Sequence, residues 1–202
     1  MRVGVMGLHY GHISGIFSSA VEAKDAELVG IVEESDELYG KYSSDKAIPR
    51  FRTLTEMIEK ANPELIVEGL AHNEKTEFVE VCAEAGIHAL LDKPLCRTIE
   101  EWHRIESAVD ASDITLSMFY TSRYHPPFVA LREAILAGEL GEIVSFISTH
   151  PHKLYEGAPS WYFDPSVYAG TFTDLAGHGV DQIRWLSGAE YVGVHAMQSD
   201  VK

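Results

Sequence analysis

At 202 residues, with 46% hydrophobic and 23% charged positions, the chain suffices for one large domain or a domain and part of another, and can bury a core. Thirty-one acids against 16 bases give a net charge of −15, a surface that repels phosphate backbones and anionic lipid and argues against nucleic-acid and membrane partners. No apolar stretch approaches the ~20 residues of a membrane span, "MRVGVMGLHYGH" breaks at glycines too early for a signal-peptide core, and Cys82 and Cys96 are expected as free thiols in a reducing cytoplasm.

From the first residue to about 119, short apolar runs alternate with amphipathic segments. The first run, "RVGVMG" (2–7), leads into "GLHYGH". A glycine-rich turn there, Gly7-Leu8-His9-Tyr10, lets backbone amides and a helix N-terminus cradle a pyrophosphate. Against the G-x-G-x-x-G fingerprint, Gly7 holds the first place, but His9 and His12 hold the second and third. An ordinary tight turn is the competing reading. Ile13, Ile16, Phe17, Ala20 and Val21 then follow the helical i, i+3, i+4 rule. The second run, "ELVGIVE" (27–33), ends on Glu33, 26 residues after Gly7. A carboxylate at that place takes the ribose hydroxyls of a dinucleotide. Glu34 and Asp36 follow with no base before Lys41, which favours NAD over NADP. Capping of the next helix is a compatible reading of these acids.

The third run, "ELIVEG" (64–69), opens into "GLAHNEKTE". Asn73 at this carboxyl edge can donate and accept toward a nicotinamide ribose, or cap a helix. Phe78, Val79, Cys82 and Ala83 mark that helix and Gly86 its stop. "HALLD" (88–92) runs into Lys93 and Pro94. Proline restricts the turn and hence where Lys93 points, so an ammonium there can polarise a substrate hydroxyl; a surface lysine flanking a turn is the plainer alternative. Cys96, just beyond, is a second candidate for reactivity. "ITLSMF" (114–119) completes a set of runs that are apolar nearly throughout, as strands covered on both faces must be. Strands alternating with helices predict an α/β class, with a parallel, doubly wound sheet.

After Phe119 the pattern changes. "HPPFVALREAILAGELG" (125–141) predicts a helix opened by prolines and closed by glycines, and "EIVSFIST" (142–149) an alternating strand. A long irregular stretch to Thr171, rich in aromatics, reads as an ordered functional loop. A helix over about 173–187 and a strand over about 191–197 follow. On that helix Asp174, His178 and Asp181 share one stripe, opposite Val180, Ile183 and Leu186. His178 can accept a hydroxyl proton with Asp174 in support; a solvent-facing stripe and a metal site with His150 or His152 are the alternatives.

With these motifs in place, nearly the whole chain resembles the family of glucose-fructose oxidoreductase and inositol dehydrogenase, often called Gfo/Idh/MocA. "LLDKPL" resembles its Glu-Lys-Pro motif, with Asp92 for Glu and Lys93 in the catalytic lysine's place. "LAHNEKT" resembles its Thr-Pro-Asn-x-x-His turn; Asn73 matches, His72 replaces the proline and Thr76 the histidine. "TSRYHPPF" and "GELGEIVSF" resemble the entry to the second domain. "WYFDPSVYAGTFTDLAGHGVDQIRWLSG" is similar to the catalytic-helix region, where Asp174, His178 and Asp181 match and Ala176 replaces a glycine.

The resemblance implies a Rossmann domain over 1–120 and part of a second α/β domain over 121–202, cut short at Lys202. It implies catalysis by Lys93, His178 and Asp174. Cofactor would be held by Gly7, Leu8, His9, Tyr10, Glu33, Ala71, His72, Asn73, Asp92 and Lys93. Arg123, Tyr124, Trp161 and Tyr162 would line the substrate site with Asp174 and His178, without a metal. The expected protein is a cytoplasmic, homo-oligomeric, NAD-dependent dehydrogenase of a sugar, cyclitol or related polyol. Two other activities are weighed: an NAD-dependent glycosidase of the same family, and a non-enzymatic nucleotide sensor.

Overall fold

A strand covered on both faces needs apolar side chains at successive positions, because neighbours point to opposite sides of the sheet. The runs read from the sequence meet that demand. In the computed structural model, which describes residues 1–10, 12–43, 47–152 and 158–197, they form β1 (Arg2–Met6), β2 (Glu27–Val32), β4 (Leu65–Glu68), β5 (His88–Asp92) and β6 (Leu116–Phe119). A two-residue strand, β3 (Arg50–Phe51), was not among the expected runs, being too short to carry a pattern. The sheet order is β3-β2-β1-β4-β5-β6 with every pair parallel.

The connections are α1 (Ile13–Glu22), α2 (Asp36–Ser43), α3 (Leu54–Ala61), α4 (Lys75–Ala85) and α5 (Ile99–Asp110). Thr53 and Thr98 cap α3 and α5 by accepting the amides of Glu56 and Glu101. Gly86 ends α4 in the left-handed conformation, as anticipated. The two sides of the sheet carry separate apolar layers. Ile66, Ala89 and Leu91 pack with Met57, Phe78, Val79, Cys82 and Ile105 on one side. Val3, Val5, Ile31 and Val67 pack with Ile13, Ile16 and Phe17 on the other. Ile66 and Val67 are adjacent in β4 and face opposite layers, as the pleat requires.

Two compact units result: Met1–Phe119 with Lys153–Asp174, and Tyr120–His152 with Leu175–Lys202. Residues 158–174 thus group with the sheet by their contacts. In the second unit α6 (Pro126–Leu136) and α7 (Gly177–Ser187) are joined by Arg132, whose guanidinium lies over the Trp185 ring and donates to the Trp185 carbonyl at 3.2 Å.

Two expectations about this unit are corrected. No strand forms among the described residues at 142–149 or 191–197. A strand needs a ladder partner, and Val144, Ile147, Val192 and Val194 lie bare instead. The faces of α7 also differ in part, although Leu186 is buried and Ile183 half-buried as expected. Val180 is exposed, while Gly179, Asp181 and Gln182 are buried with Leu186, because Asp181 accepts both Nε and a terminal N–H of Arg123. Among the described residues no helix is long and apolar enough to cross a membrane.

Candidate active site at the carboxyl edge of the sheet

The carboxyl ends of β1, β4 and β5 converge on a buried polar network within the first unit. Gly7 turns the chain out of β1 at φ +72°, where a Cβ would meet Leu70 Cδ2 at 2.8 Å. The next amides are engaged internally. Leu8 N–H donates to Glu33 Oε2 at 2.8 Å, and His9 and Tyr10 N–H both donate to the Gly69 carbonyl. Gly69 must stay small, since a Cβ there would meet that of Ile13 at 2.7 Å. A phosphate would therefore meet the start of α1 and the His9 ring rather than the amides of Leu8, His9 and Tyr10. Glu33 is buried, its Oε1 accepting the Ser35 amide at 2.8 Å and lying 3.4 Å from His9 Nε2.

Beneath this turn the β4 and β5 ends are joined by an ion pair that the sequence did not reveal. Glu68 and Lys75 are both wholly buried, 3.0 Å apart. Glu68 also accepts the amides of Leu70 and Asp92, and Lys75 Nζ donates to the Asp92 carbonyl at 2.6 Å. Burial raises the Glu68 carboxyl, against the pull of Lys75. "HNEKTE" looks like an exposed helix start, so nothing local marked Lys75 as a core residue.

Asp92 Oδ1 accepts the Lys93 amide at 2.7 Å and pairs with His12 Nδ1 at 3.0 Å. Lys93 is 4% exposed and precedes a cis peptide bond to Pro94. Its ammonium donates to Tyr10 Oη at 2.5 Å and to Asp174 Oδ1. Asp174 lies in a π-helical turn, Phe172–Ala176, ahead of α7. It also accepts the hydroxyls of Tyr10 at 2.7 Å and Tyr168 at 2.9 Å. Burial opposes its ionisation, yet the hydrogen bonds and charge of Lys93 and the two phenols hold its carboxyl below the usual range. Burial first, then Asp174, pushes both phenols far above their ordinary value, so they stay protonated and donate.

Rings close over this network. Trp161 stacks obliquely on Tyr162 at 4.4 Å and meets His72 at 4.9 Å, while His72 stacks on Tyr168 at 5.3 Å. His72 is wholly buried, and its Nδ1 accepts the Ala169 amide at 3.1 Å. Burial, then the Lys75 charge, lowers its pKa to about 3 from 6.5, so the ring is neutral with its proton on Nε2. Stability attributable to His72 is then full above pH 6.5 and falls as pH drops toward 3, where only the unfolded chain takes up the proton. The expected slope is at most about 1.4 kcal/mol per pH unit. His72→Asn, which keeps an acceptor for Ala169, should flatten the fall in urea midpoint between pH 7 and 4; equal slopes for both proteins contradict this assignment.

The remaining candidates make other contacts. Ala71 is half-buried and Asn73 exposed in a 3₁₀ turn, His72–Glu74; the Ala71 amide is capped by Glu74, not by Asn73. In the second unit Arg123 is tied to Asp181, Tyr124 is 77% exposed, and His178 is half-buried beside the rings of Tyr120 and His150. The expected stripe is thus divided: Asp174 belongs to the first unit, His178 and Asp181 to the second. Cys96 is half-buried, and burial and Glu101 raise its thiol, unlike a primed nucleophile. No metal-holding group of three His, Cys, Asp or Glu occurs among the described residues.

Besides Glu68 and Lys75, the sequence reading missed Tyr168 and Arg50. Arg50 comes from β3 to donate to the carbonyls of Glu33 and Glu34 and to Asp36. Glu34 and Asp36 are neighbours of Glu33 in sequence, and the fold brings the Arg50 cation to the same turn.

A parallel sheet in this order, with a glycine turn after β1 and polar groups gathered at its carboxyl edge, defines a dinucleotide-binding Rossmann domain. The chain belongs to the GFO/IDH/MocA family: residues 1–120 match its oxidoreductase family, NAD-binding Rossmann fold, and residues 128–202 its GFO/IDH/MocA C-terminal domain. Myo-inositol 2-dehydrogenase of Thermotoga maritima is 28% identical over 97% of this chain and 58% of its own length. D-xylose 1-dehydrogenase (NADP(+)) 2 of Haloferax volcanii is 23% identical over 93% of this chain and 58% of its own. The crystal structure of an oxidoreductase from Erwinia carotovora atroseptica superposes with a TM-score of 0.86 at 22% identity, over 93% of this chain and 57% of that one. The chain thus spans little more than half of these proteins. The family's domain binds NAD(P), and its named relatives include NADP-dependent enzymes.

Proposed function

We propose that the protein transfers hydride between NAD and a secondary alcohol of a sugar, cyclitol or related polyol. The observation that carries this reading is the buried Lys93 ammonium, held between Asp174 and Tyr10 at the carboxyl edge beside the glycine turn. An oriented N–H donor there suits an oxygen that is alkoxide-like in the transition state, whether hydride is leaving the adjacent carbon or arriving at it. Bound dinucleotide would supply the hydride acceptor. Two orphaned atoms fit its ribose: His72 Nε2 and Asp92 Oδ2 are buried without hydrogen-bond partners among the described residues, one a donor and the other an acceptor. Residues 1–120 would hold the nucleotide, with phosphates at the start of α1 and beside His9, the adenosine ribose at Glu33, and the nicotinamide ribose near Ala71, His72, Asn73 and Asp92.

Lys93 would donate to the reacting oxygen, with Asp174 keeping it ionised and oriented. Trp161 and Tyr162 offer ring faces to the C–H side of a sugar. Residues 121–202 would bind the substrate, and from them His178, as proton acceptor, Arg123 and Tyr124 enter this reading through their motifs. NAD is favoured over NADP because Glu34 and Asp36 flank Glu33 and the donors of Arg50 already have acceptors. A cytoplasmic homo-oligomer completes the reading, supported by two free thiols and the bare apolar residues of the second unit. Fluorescence titration with NADH and NADPH, followed by a polyol panel with NAD, tests it. NADH is expected to bind at least about tenfold more tightly, a difference of about 1.4 kcal/mol. Tighter NADPH binding overturns the choice of nucleotide, and no binding of either at millimolar concentration overturns the function.

A further inference from the structure

We propose that Tyr10, a residue of the nucleotide turn, is a positioning residue for Lys93: its hydroxyl sets the direction in which the ammonium points. The inference rests on the dehydrogenase reading for its catalytic consequence, but its structural content stands on contacts alone. The phenol sits between donor and acceptor. It accepts from Lys93 at 2.5 Å and donates to Asp174 Oδ1 at 2.7 Å, and it is 3% exposed. A phenol has one hydrogen, and here it is directed to the carboxylate. Only its lone pairs are left for Lys93, so the bond order runs from ammonium to phenol to carboxylate in one sense.

The ring is fixed as firmly as the hydroxyl. His12 and His72 meet it edge-on at 5.5 and 5.4 Å, and Trp161 lies 6.0 Å away. Lys75 and Lys93 place their ammonium groups 5.5 and 5.1 Å from its centroid, a cation–π arrangement on a buried ring. Asp92 adds a nearby negative charge from β5. With one Lys93 N–H on Tyr10 and one on Asp174, the third has no acceptor among the described residues and can serve a reacting oxygen. Without the hydroxyl, the ammonium can turn wholly onto Asp174, an ion pair that needs no phenol. The fold then persists while the aim is lost.

Tyr10→Phe keeps the packed ring and removes only that oxygen. Three readouts are compared with wild type and with Tyr168→Phe, whose hydroxyl touches Asp174 Oδ2 but not Lys93. In steady-state kinetics with NAD and the best polyol, Tyr10→Phe should lower kcat by roughly 10- to 100-fold, as a misaimed group does, with KM within twofold. NADH affinity by fluorescence titration should stay within about twofold, since the lost oxygen is engaged by Lys93 and Asp174. In ¹⁵N-selective NMR, the Lys93 ammonium hydrogens should exchange with water about fivefold faster in Tyr10→Phe, matching one lost hydrogen bond, and unchanged in Tyr168→Phe. An unchanged kcat in an active enzyme, or equal exchange rates in the two variants, overturns the proposal. Should no polyol turn over in the wild type, the dehydrogenase reading fails, and the exchange rates alone uphold or overturn the role of Tyr10.

Discussion

Lys93→Ala is expected to lower kcat by about 10³-fold while NADH affinity changes by less than about threefold, because a positioned proton donor contributes roughly 10²–10⁴ to rate and acts on the reacting oxygen, not on the nucleotide as a whole. The geometry makes the loss specific. Lys93 is the cation that Asp174 holds, and the Tyr10 and Tyr168 hydroxyls that share this carboxylate are phenols kept protonated by burial. Neither phenol can replace an ammonium as a charged donor. Those same phenols soften the structural cost: Asp174 keeps two O–H donors, so destabilisation should fall at or below about 3 kcal/mol, the low end for breaking a buried pair. Lys93→Arg should not restore turnover, since a planar fork does not fill the space of a compact ammonium. Steady-state kinetics, NADH titration and urea unfolding on the same preparations separate these effects. Retention of more than a tenth of wild-type kcat in Lys93→Ala would remove residue 93 from the chemistry.

Lys75→Met should destabilise the protein by about 3–5 kcal/mol, the cost of leaving a buried charge without its partner. Glu68 would lose its partner cation and the Asp92 carbonyl a 2.6 Å donor, in surroundings with no exposed surface. Glu68→Gln is milder, because an amide oxygen still accepts one of the two backbone N–H groups, from Leu70 or Asp92, that the carboxylate serves. The double variant should cost less than the sum of the singles by at least about 1.5 kcal/mol, the signature of coupled groups. Urea midpoints at constant m-value measure all three. Additive costs would mean that Lys75 acts on the carbonyl and not on Glu68.

The sheet was legible because a doubly covered strand leaves a strong pattern. β1, β2, β4, β5 and β6 each fell on an apolar run. β3, with two residues, had no room for one. Lys93 and Asp174, which the fold brings together, were candidates from motif and position, since the ends of parallel strands are where side chains can gather. What escaped was burial of charge. Lys75 lies among Glu74, Thr76 and Glu77 and carries no local sign that Glu68 awaits it at the end of β4. Arg50 escaped for the same reason, being distant in sequence from the turn it braces. Segments 142–149 and 191–197 show the opposite error: their alternation describes a capacity for pairing, and pairing needs a neighbour that the described residues do not provide.

The Gly69 carbonyl receives two amides from the turn that also carries Tyr10. Reshaping that loop to alter nucleotide grip would therefore tug on the Lys93 amine proposed as the donor, coupling two traits a protein engineer would want to tune separately. Arg50 of β3 and Asp36 at the start of α2 offer an independent handle, so a library randomised there and held constant at Gly7, Gly69 and Tyr10 should shift coenzyme choice without blunting turnover.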